Sequence, residues 1–210
     1  MQGMDSLVKK KDTSGRQVIL DAAVDAFFDL GYQAASVREI GRRSGVTQAA
    51  LYHHFKSKEA ILFFIIEEFS ELLFMAVVAA MSSDENSVMR LRRALRRHLD
   101  FQKTHRKQLK ILFEDKRHLT GHAKKSVEDR ERSIFSLYRA NLEELQRIGH
   151  ISNIDLTVAT FSIFGVLNWF YHWYQPDGRQ SLEYLADQAM GFIFKGLLTE
   201  AGWRELDDAE

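Results

Sequence analysis

The chain has 210 residues, enough for one large domain or two small ones, with 45% hydrophobic and 28% charged residues as in an ordinary soluble protein. It contains no cysteine, which excludes a disulfide scaffold, a thiol nucleophile and thiolate metal sites. One proline and twelve glycines leave few helix breakers, so a nearly all-helical fold is predicted. The 29 basic and 29 acidic residues balance, so overall charge does not indicate a nucleic-acid-binding protein.

The N-terminal segment, residues 1–13, is polar and contains three consecutive lysines, so it is predicted to be a disordered basic tail. Two interpretations of this tail stay open: a solvated segment, or an arm that contacts DNA phosphates. The segment has no apolar core of a secretory signal, and we expect a cytoplasmic protein. A first helix is predicted from Ser14 or Arg16 to Leu30, where Gly31 ends it.

The segment from Ser36 to Phe55 predicts two short helices joined by a tight turn. Ser36 is a good N-cap, and Glu39 three residues later completes a capping box. Gly45 suits the left-handed backbone that often ends a helix, and Thr47 can cap the second helix. Since side chains near the start of such a helix can reach base edges in the major groove, this segment is predicted to read DNA.

Basic residues concentrate in the same segment although the whole chain is neutral. Residues 36–58 hold five basic residues and one acidic residue, a net charge of +4, as in a DNA-binding module attached to a body with another purpose. One of Arg42 and Arg43 is expected to contact DNA. His53 and His54 point about 100° apart on a helix, so they cannot bind one ion together, and no metal site is predicted.

Six further helices are predicted, which gives about nine in total. Ser57 caps a long fourth helix, and a polar loop at 82–87 separates it from a fifth helix that contains Leu91, Leu95 and Leu99. The remaining predictions are helices near 109–117, 127–148, 156–174 and 182–198, with an acidic tail at 204–210.

The eighth predicted helix is apolar on most sides, so it must also be buried on most sides. One face is expected to pack on its own domain, and the other, with the ninth helix, to form a four-helix bundle across a two-fold axis. A purely intramolecular core is the alternative. The predicted dimer interface consists of Phe161, Trp173, Leu185, Ala189 and Ile193.

Five arginines stand close together in the fifth predicted helix. Arg90, Arg93 and Arg97 share one face of it. A solvated basic face is one interpretation. The other is that Arg93 and Arg97 bind an anionic ligand group, such as the phosphates of coenzyme A.

A long, ordered set of motifs runs from about Arg16 to Phe69. Its members are Ile19-Leu20-Asp21-Ala22-Ala23, Phe27, Gly31-Tyr32, Ser36-Val37-Arg38-Glu39-Ile40, Gly45-Val46-Thr47, Leu51-Tyr52-His53-His54-Phe55 and Lys58-Glu59. In these motifs the chain resembles the TetR family of bacterial transcriptional regulators. The segment from Leu167 to Gly178 also resembles a subgroup of that family that includes regulators of acyl-CoA and steroid-CoA catabolism.

The resemblance implies an all-α protomer with two domains, which pairs as a homodimer through its last two helices. The first domain, residues 14–58, is a three-helix DNA-binding domain. The second domain, residues 59–203, is a helical ligand-binding and dimerisation domain. The positions that match the family's DNA contacts are Arg38, Thr47, Gln48, Ala49, Tyr52, His53 and Lys58.

The same resemblance implies a ligand pocket enclosed by the helices after the fourth. Its expected lining residues are Phe69, Phe101, Leu112, Phe113, Phe164, Asn168 and Trp169. No cofactor is expected.

The leading hypothesis is a ligand-responsive transcriptional regulator, most simply a repressor that a small hydrophobic effector such as an acyl-CoA releases from a palindromic operator. The alternative is a DNA-binding protein of the same fold that acts through a protein partner. An enzyme is not expected, because the chain has no nucleophile elbow, phosphate loop or metal motif. Polar residues interrupt the apolar run at 156–174, so no membrane span is predicted.

Overall fold

The computed structural model describes residues 13–83 and 86–207. Within these ranges the chain forms ten α-helices and one short 3-10 helix, and its only extended pairing is an isolated bridge between Ile151 and Leu198. The predicted all-α fold is confirmed. No helix in the described ranges is long and apolar enough to cross a membrane. The predicted basic tail lies outside the described residues except for Thr13, which begins the first helix.

The helices follow the predicted order, with one addition at the C-terminal end. A 3-10 turn at Lys116–His118 separates the sixth helix from the seventh, and Gly31 kinks the first one near its end. The bounds are α1 Thr13–Ala34, α2 Val37–Ser44, α3 Gln48–His54, α4 Lys58–Met81, α5 Ser87–Thr104, α6 Arg106–Asp115, α7 Gly121–Arg147, α8 Leu156–Trp173, α9 Leu182–Leu197 and α10 Glu200–Asp207.

Helix α10 corrects the prediction of an acidic tail at 204–210, because residues 204–207 are helical. Its apolar side is buried through Leu206, and Gly202 lies so close to the carbonyl oxygen of His150 that a Cβ there would collide with it. The amide of Asn86 also donates to the carbonyl of Glu205 at 3.3 Å. These packing contacts, rather than helix propensity, hold the short acidic helix in place.

The core of the fold is organised around α4. Its first turns cover the three-helix unit α1–α3, whose buried residues include Ile19, Phe27 and Leu51. Its later turns pack on α5 and α7, where Phe69 and Val77 are buried. A helix of 24 residues spans about 36 Å. A single rigid element therefore belongs both to the N-terminal unit and to the larger helical body.

Candidate nucleic-acid interface and ligand cavity

The turn between α2 and α3 has the capped geometry that the sequence predicts. The hydroxyl of Ser36 accepts a hydrogen bond from the amide of Glu39 at 3.1 Å, and that of Thr47 accepts one from the amide of Ala50 at 3.2 Å. Gly45 ends α2 in the left-handed region with φ 70°, a conformation that costs glycine little. The two caps and this glycine fix the angle between the helices.

The second half of the predicted capping box does not form, because the Glu39 carboxylate is held by arginines. Arg42 donates to it at 2.6 Å and Arg43 at 2.9 Å, and Arg43 also pairs with Asp29 on α1 at 2.6 Å. These hydrogen bonds, with that from Arg42 the largest effect, lower the pKa of Glu39 to about 2. The Arg42 side chain is 70% exposed and that of Arg43 only 22%, so Arg42 is the better placed of the two to reach DNA.

Six of the seven residues expected to contact DNA are exposed, one on α2 and the others at the N-cap and along the outer side of α3. Leu51 and Phe55 point the other way and are buried against the rest of the N-terminal unit. One side of α3 is therefore fixed by packing, while its other side is exposed and can enter a DNA groove. The exposed residues are Arg38, Thr47, Gln48, Ala49, Tyr52 and His53.

Lys58 is the seventh residue expected to contact DNA, and its position does not match the expected contact with a phosphate. Its ammonium group donates to the carbonyl oxygens of Tyr32, Gln33 and Ala35 at 2.8, 3.3 and 3.1 Å. It also lies 4.3 Å from the centre of the Tyr32 ring, and partial burial lowers its pKa. Because an ammonium group has three donors, this side chain is occupied in capping the end of α1 and points away from solvent.

A cavity of about 880 Å³ lies within the larger helical body, where α4, α5, α6, α7 and α8 meet. Five residues expected to line a ligand pocket contribute to its wall: Leu112, Phe113, Phe164, Asn168 and Trp169. Other lining residues include Ser70, Leu73, His98, Leu109, Ile134, Phe135, Phe161, Gly165 and Tyr171.

The remaining two expected lining residues, Phe69 and Phe101, are not part of this cavity wall. Their ring centres lie 5.8 Å apart, and the ring of His105 stacks on Phe101 with a centre-to-centre distance of 4.8 Å. The two phenylalanines therefore form an aromatic cluster between α4 and α5. Helical spacing alone does not distinguish this cluster from a cavity wall, because both are apolar.

The arginines considered for anion binding lie elsewhere. Arg93 and Arg97 border a separate groove between α4 and α5, together with Phe101 and Glu183. Arg97 lies 4.0 Å from the carboxylate of Asp100. The phosphates of a ligand whose apolar part fills the aromatic cavity would therefore not meet these two arginines inside that cavity.

A small cluster of polar residues adjoins the apolar cavity, and His98, Asn168 and Ser70 of this cluster line it. The hydroxyl of buried Tyr138 donates to the carbonyl of Ala94 at 3.0 Å, and Nδ1 of His98 lies 3.4 Å from the same hydroxyl. Burial lowers the pKa of His98 to about 4, against a smaller opposing effect of a hydrogen bond with Asn168. His98 is therefore neutral at physiological pH. Ser70 lines the cavity from α4, and its hydroxyl has no hydrogen-bond partner among the described residues.

Asn168 was among the predicted pocket residues, whereas His98, Ser70 and Tyr138 were not, although the spacing of the apolar residues gave a signal for each of them. His98 follows Ala94 by four residues, so it continues the apolar face of α5 rather than its arginine face. Ser70 follows Ile66 by four residues, and Tyr138 lies four residues from both Ile134 and Leu142, so both continue apolar faces in the same way.

Helices α8 and α9 leave an apolar face exposed in the single chain. On α8 the predicted interface residues Phe161 and Trp173 are exposed as expected. On α9 the predicted register is wrong, because Ile193 is only 8% exposed whereas its neighbour Phe192 is 71% exposed. Leu185 and Ala189 pack partly against the core. Residues not anticipated from the sequence complete the exposed face: Val158, Trp169 and Tyr184.

Comparison with known proteins identifies this arrangement. A family model described as bacterial regulatory proteins of the tetR family matches residues 19–64, and one described as a tetracyclin repressor-like C-terminal domain matches residues 84–197. The chain belongs to the TetR family. It is therefore a DNA-binding transcriptional regulator, and α2 and α3 are the helix-turn-helix of its TetR DNA-binding domain.

Relatives within the TetR family match almost the whole chain. The transcriptional repressor KstR2 of Rhodococcus jostii is 27% identical over 193 residues, which are 89% of this chain and 94% of the relative. A crystal structure of AibR with isovaleryl coenzyme A and operator DNA is 29% identical, with a TM-score of 0.79, and covers 86% of this chain and 97% of that one. The structure of KstR2 from Mycobacterium tuberculosis shares the fold, with a TM-score of 0.83 at 22% identity over 90% and 97% of the two chains.

The depressed pKa of His98 predicts an acid-sensitive fold. An unfolded histidine has a pKa near 6.5 and this one about 4, so the unfolded state binds the extra proton first. The stabilisation is therefore complete above about pH 6.5 and is lost as the pH falls toward 4, by at most about 3 kcal/mol. Urea unfolding from pH 7.5 to 4.5 should show a steeper loss for the native protein than for His98→Gln. Parallel pH profiles would contradict this prediction.

Proposed function

We propose that this TetR regulator is a repressor that a small hydrophobic effector releases from a palindromic operator. The observation that carries the proposal is the position of α4. Three residues separate the end of the recognition helix α3 from the start of α4, and further along α4 contributes Ser70 and Leu73 to the cavity wall. A ligand that moves the cavity end of α4 therefore acts on the same rigid element that supports the DNA-reading helices.

The effector class follows from the cavity and from one relative. A cavity of about 880 Å³ with a mostly apolar wall suits a compact hydrophobic ligand with few polar groups. The AibR structure contains isovaleryl coenzyme A together with operator DNA. We extend this to the present chain as an acyl thioester whose acyl part occupies the cavity.

The exposed residues of the helix-turn-helix have distinct expected roles. The amide of Gln48 can pair with adenine N6 and N7, and Ala49 can contact a thymine methyl group. Arg38 and the hydroxyl of Tyr52 suit phosphate oxygens, which set the position of the helix but carry no sequence information. This division predicts different effects for the two kinds of substitution.

Arg38→Ala should weaken binding to all DNA sequences and reduce the slope of log affinity against log salt by about one. Gln48→Ala should instead cost about 1–3 kcal/mol on the preferred duplex and leave the salt slope unchanged. Fluorescence anisotropy with a duplex selected from a random pool measures both. Lys124→Met, which removes an exposed ammonium group from α7, is the control and should leave both quantities unchanged. An unchanged salt slope for Arg38→Ala would contradict the proposed phosphate contact.

We further propose that the exposed α8–α9 face pairs with that of a second copy. Large apolar residues are exposed on both of these neighbouring helices, and exposed apolar surface of this extent marks an interface in soluble proteins. A two-fold pair also supplies two recognition helices, which must lie about 34–36 Å apart to enter successive major grooves.

Phe192→Asp should convert a dimer into a monomer, because it would bury a charge in the proposed interface at its most exposed large apolar residue. Sedimentation velocity at micromolar concentration measures this, and operator affinity should fall in parallel. Ile148→Asp, an exposed apolar position at the end of α7, is the matched control and should stay dimeric. An unchanged dimer of Phe192→Asp would contradict the proposed face.

The central test is the effect of an acyl thioester on operator binding. Isovaleryl-CoA and decanoyl-CoA, with free coenzyme A as the control, are titrated into the protein bound to its selected duplex. A responsive thioester should lower operator affinity 5- to 150-fold, and operator should weaken thioester binding by the same factor. Leu112→Trp, which fills the cavity, should keep operator affinity and lose the response. Operator affinity that neither thioester alters would contradict the acyl-CoA proposal and favour action through a protein partner.

A further inference from the structure

We infer that the cavity selects an effector with an uncharged oxygen, a carbonyl or hydroxyl group, on the part of the molecule that is buried among α4, α5 and α8. This inference rests on the proposed function, since it describes the ligand of the same cavity. Three helices each supply one neutral polar side chain to an otherwise mostly apolar wall: Ser70, His98 and Asn168.

Ser70 is the strongest indication. It is 2% exposed and lines the cavity, yet its hydroxyl has no hydrogen-bond partner among the described residues. A serine in a helix can bond to the carbonyl four residues earlier, but this one does not. A buried hydroxyl without a partner is unfavourable. A ligand oxygen that bonds to it would remove this cost.

His98 and Asn168 define the kind of group that fits. The Tyr138 hydroxyl donates its proton to the carbonyl of Ala94, so the contact with His98 assigns the single proton of the neutral ring to Nδ1. Asn168, which also bonds to His98, offers both a donor and an acceptor. The group is therefore neutral and can either give or accept a hydrogen bond. An anionic ligand group would be poorly compensated here, because none of the three carries a positive charge.

Charged residues of the cavity wall are on α7, and each has a partner. Glu131 pairs with Lys116 at 2.5 Å, and exposed Arg132 pairs with Asp129 at 3.2 Å. Glu128 lies 3.9 Å from Lys124. The wall therefore separates a charged, exposed side on α7 from a buried, neutral polar side on α4, α5 and α8.

Three compounds of one shape test the inference: fluorenone, fluorene and fluorene-9-carboxylate, which carry a neutral oxygen, no oxygen and a charged group. Equilibrium dialysis against the full-length protein measures each affinity. Fluorenone should bind at least tenfold more tightly than the other two, because only it satisfies the buried group without burying a charge. Equal affinities, tighter binding of the carboxylate, or no binding of any of the three would overturn the inference.

Two variants locate the preference. Ser70→Ala and Asn168→Leu should each reduce the fluorenone-to-fluorene ratio below threefold, while fluorene itself binds as well as before or better. Ser136→Ala, an exposed serine on α7, is the matched control and should keep the full ratio. A ratio that survives both cavity variants would overturn the assignment to these residues.

Thermal unfolding of the protein without ligand gives an independent test of the unpaired Ser70 hydroxyl. Removing an unpaired buried hydroxyl should raise the thermal midpoint of Ser70→Ala by about 2–4 °C, and by more than in Ser136→Ala, which reports the helix-propensity gain alone. A lowered midpoint would show that the hydroxyl is already satisfied and would overturn the inference. Operator release is measured separately: a fluorenone preference without any effector response would refute the proposed function and leave this inference standing.

Discussion

The fold depends on the ammonium group of Lys58, which joins two helices at the boundary between the DNA-reading unit and the rest of the protein. Its three hydrogen bonds to carbonyls at the end of α1 replace the intrahelical partners that a helix end lacks. The donor belongs to the first residue of α4. The end of one helix is thereby fixed to the beginning of the next, and α4 cannot tilt without moving α1.

Helix α6 provides a second connection between the same two parts. Lys110 donates to the carbonyl of Phe28 at 3.0 Å, and Lys107 pairs with Asp25 at 2.5 Å. On its other side α6 lines the cavity through Leu109 and Leu112. Two helices therefore join the cavity to α1, one through its N-terminal end and one through its side. A change of shape in the cavity has two packed routes to the helix-turn-helix.

The sequence was sufficient for the helix-turn-helix because local rules determine it: a serine cap, a glycine in the left-handed region and a threonine cap at fixed spacing. The direction of a long side chain was not predictable in this way. Lys58 has the charge and position of a phosphate contact, and only the carbonyls of a helix distant in sequence show why it points inward. The predicted register of α9 was wrong for a related reason. Ile193 and Phe192 are both apolar, and tertiary packing decides which one is buried.

The outer face of α8 makes the response to the effector depend on the concentration of the protein itself. Phe161, Gly165 and Trp169 line the cavity and are also exposed on the face proposed to pair with a second copy. If a partner covers these residues, the same side chains contact both the ligand and the second subunit. Ligand binding and subunit association must then be thermodynamically linked. Dilution of the regulator would then change its apparent affinity for the effector, so a cell could tune the threshold of induction through expression level alone.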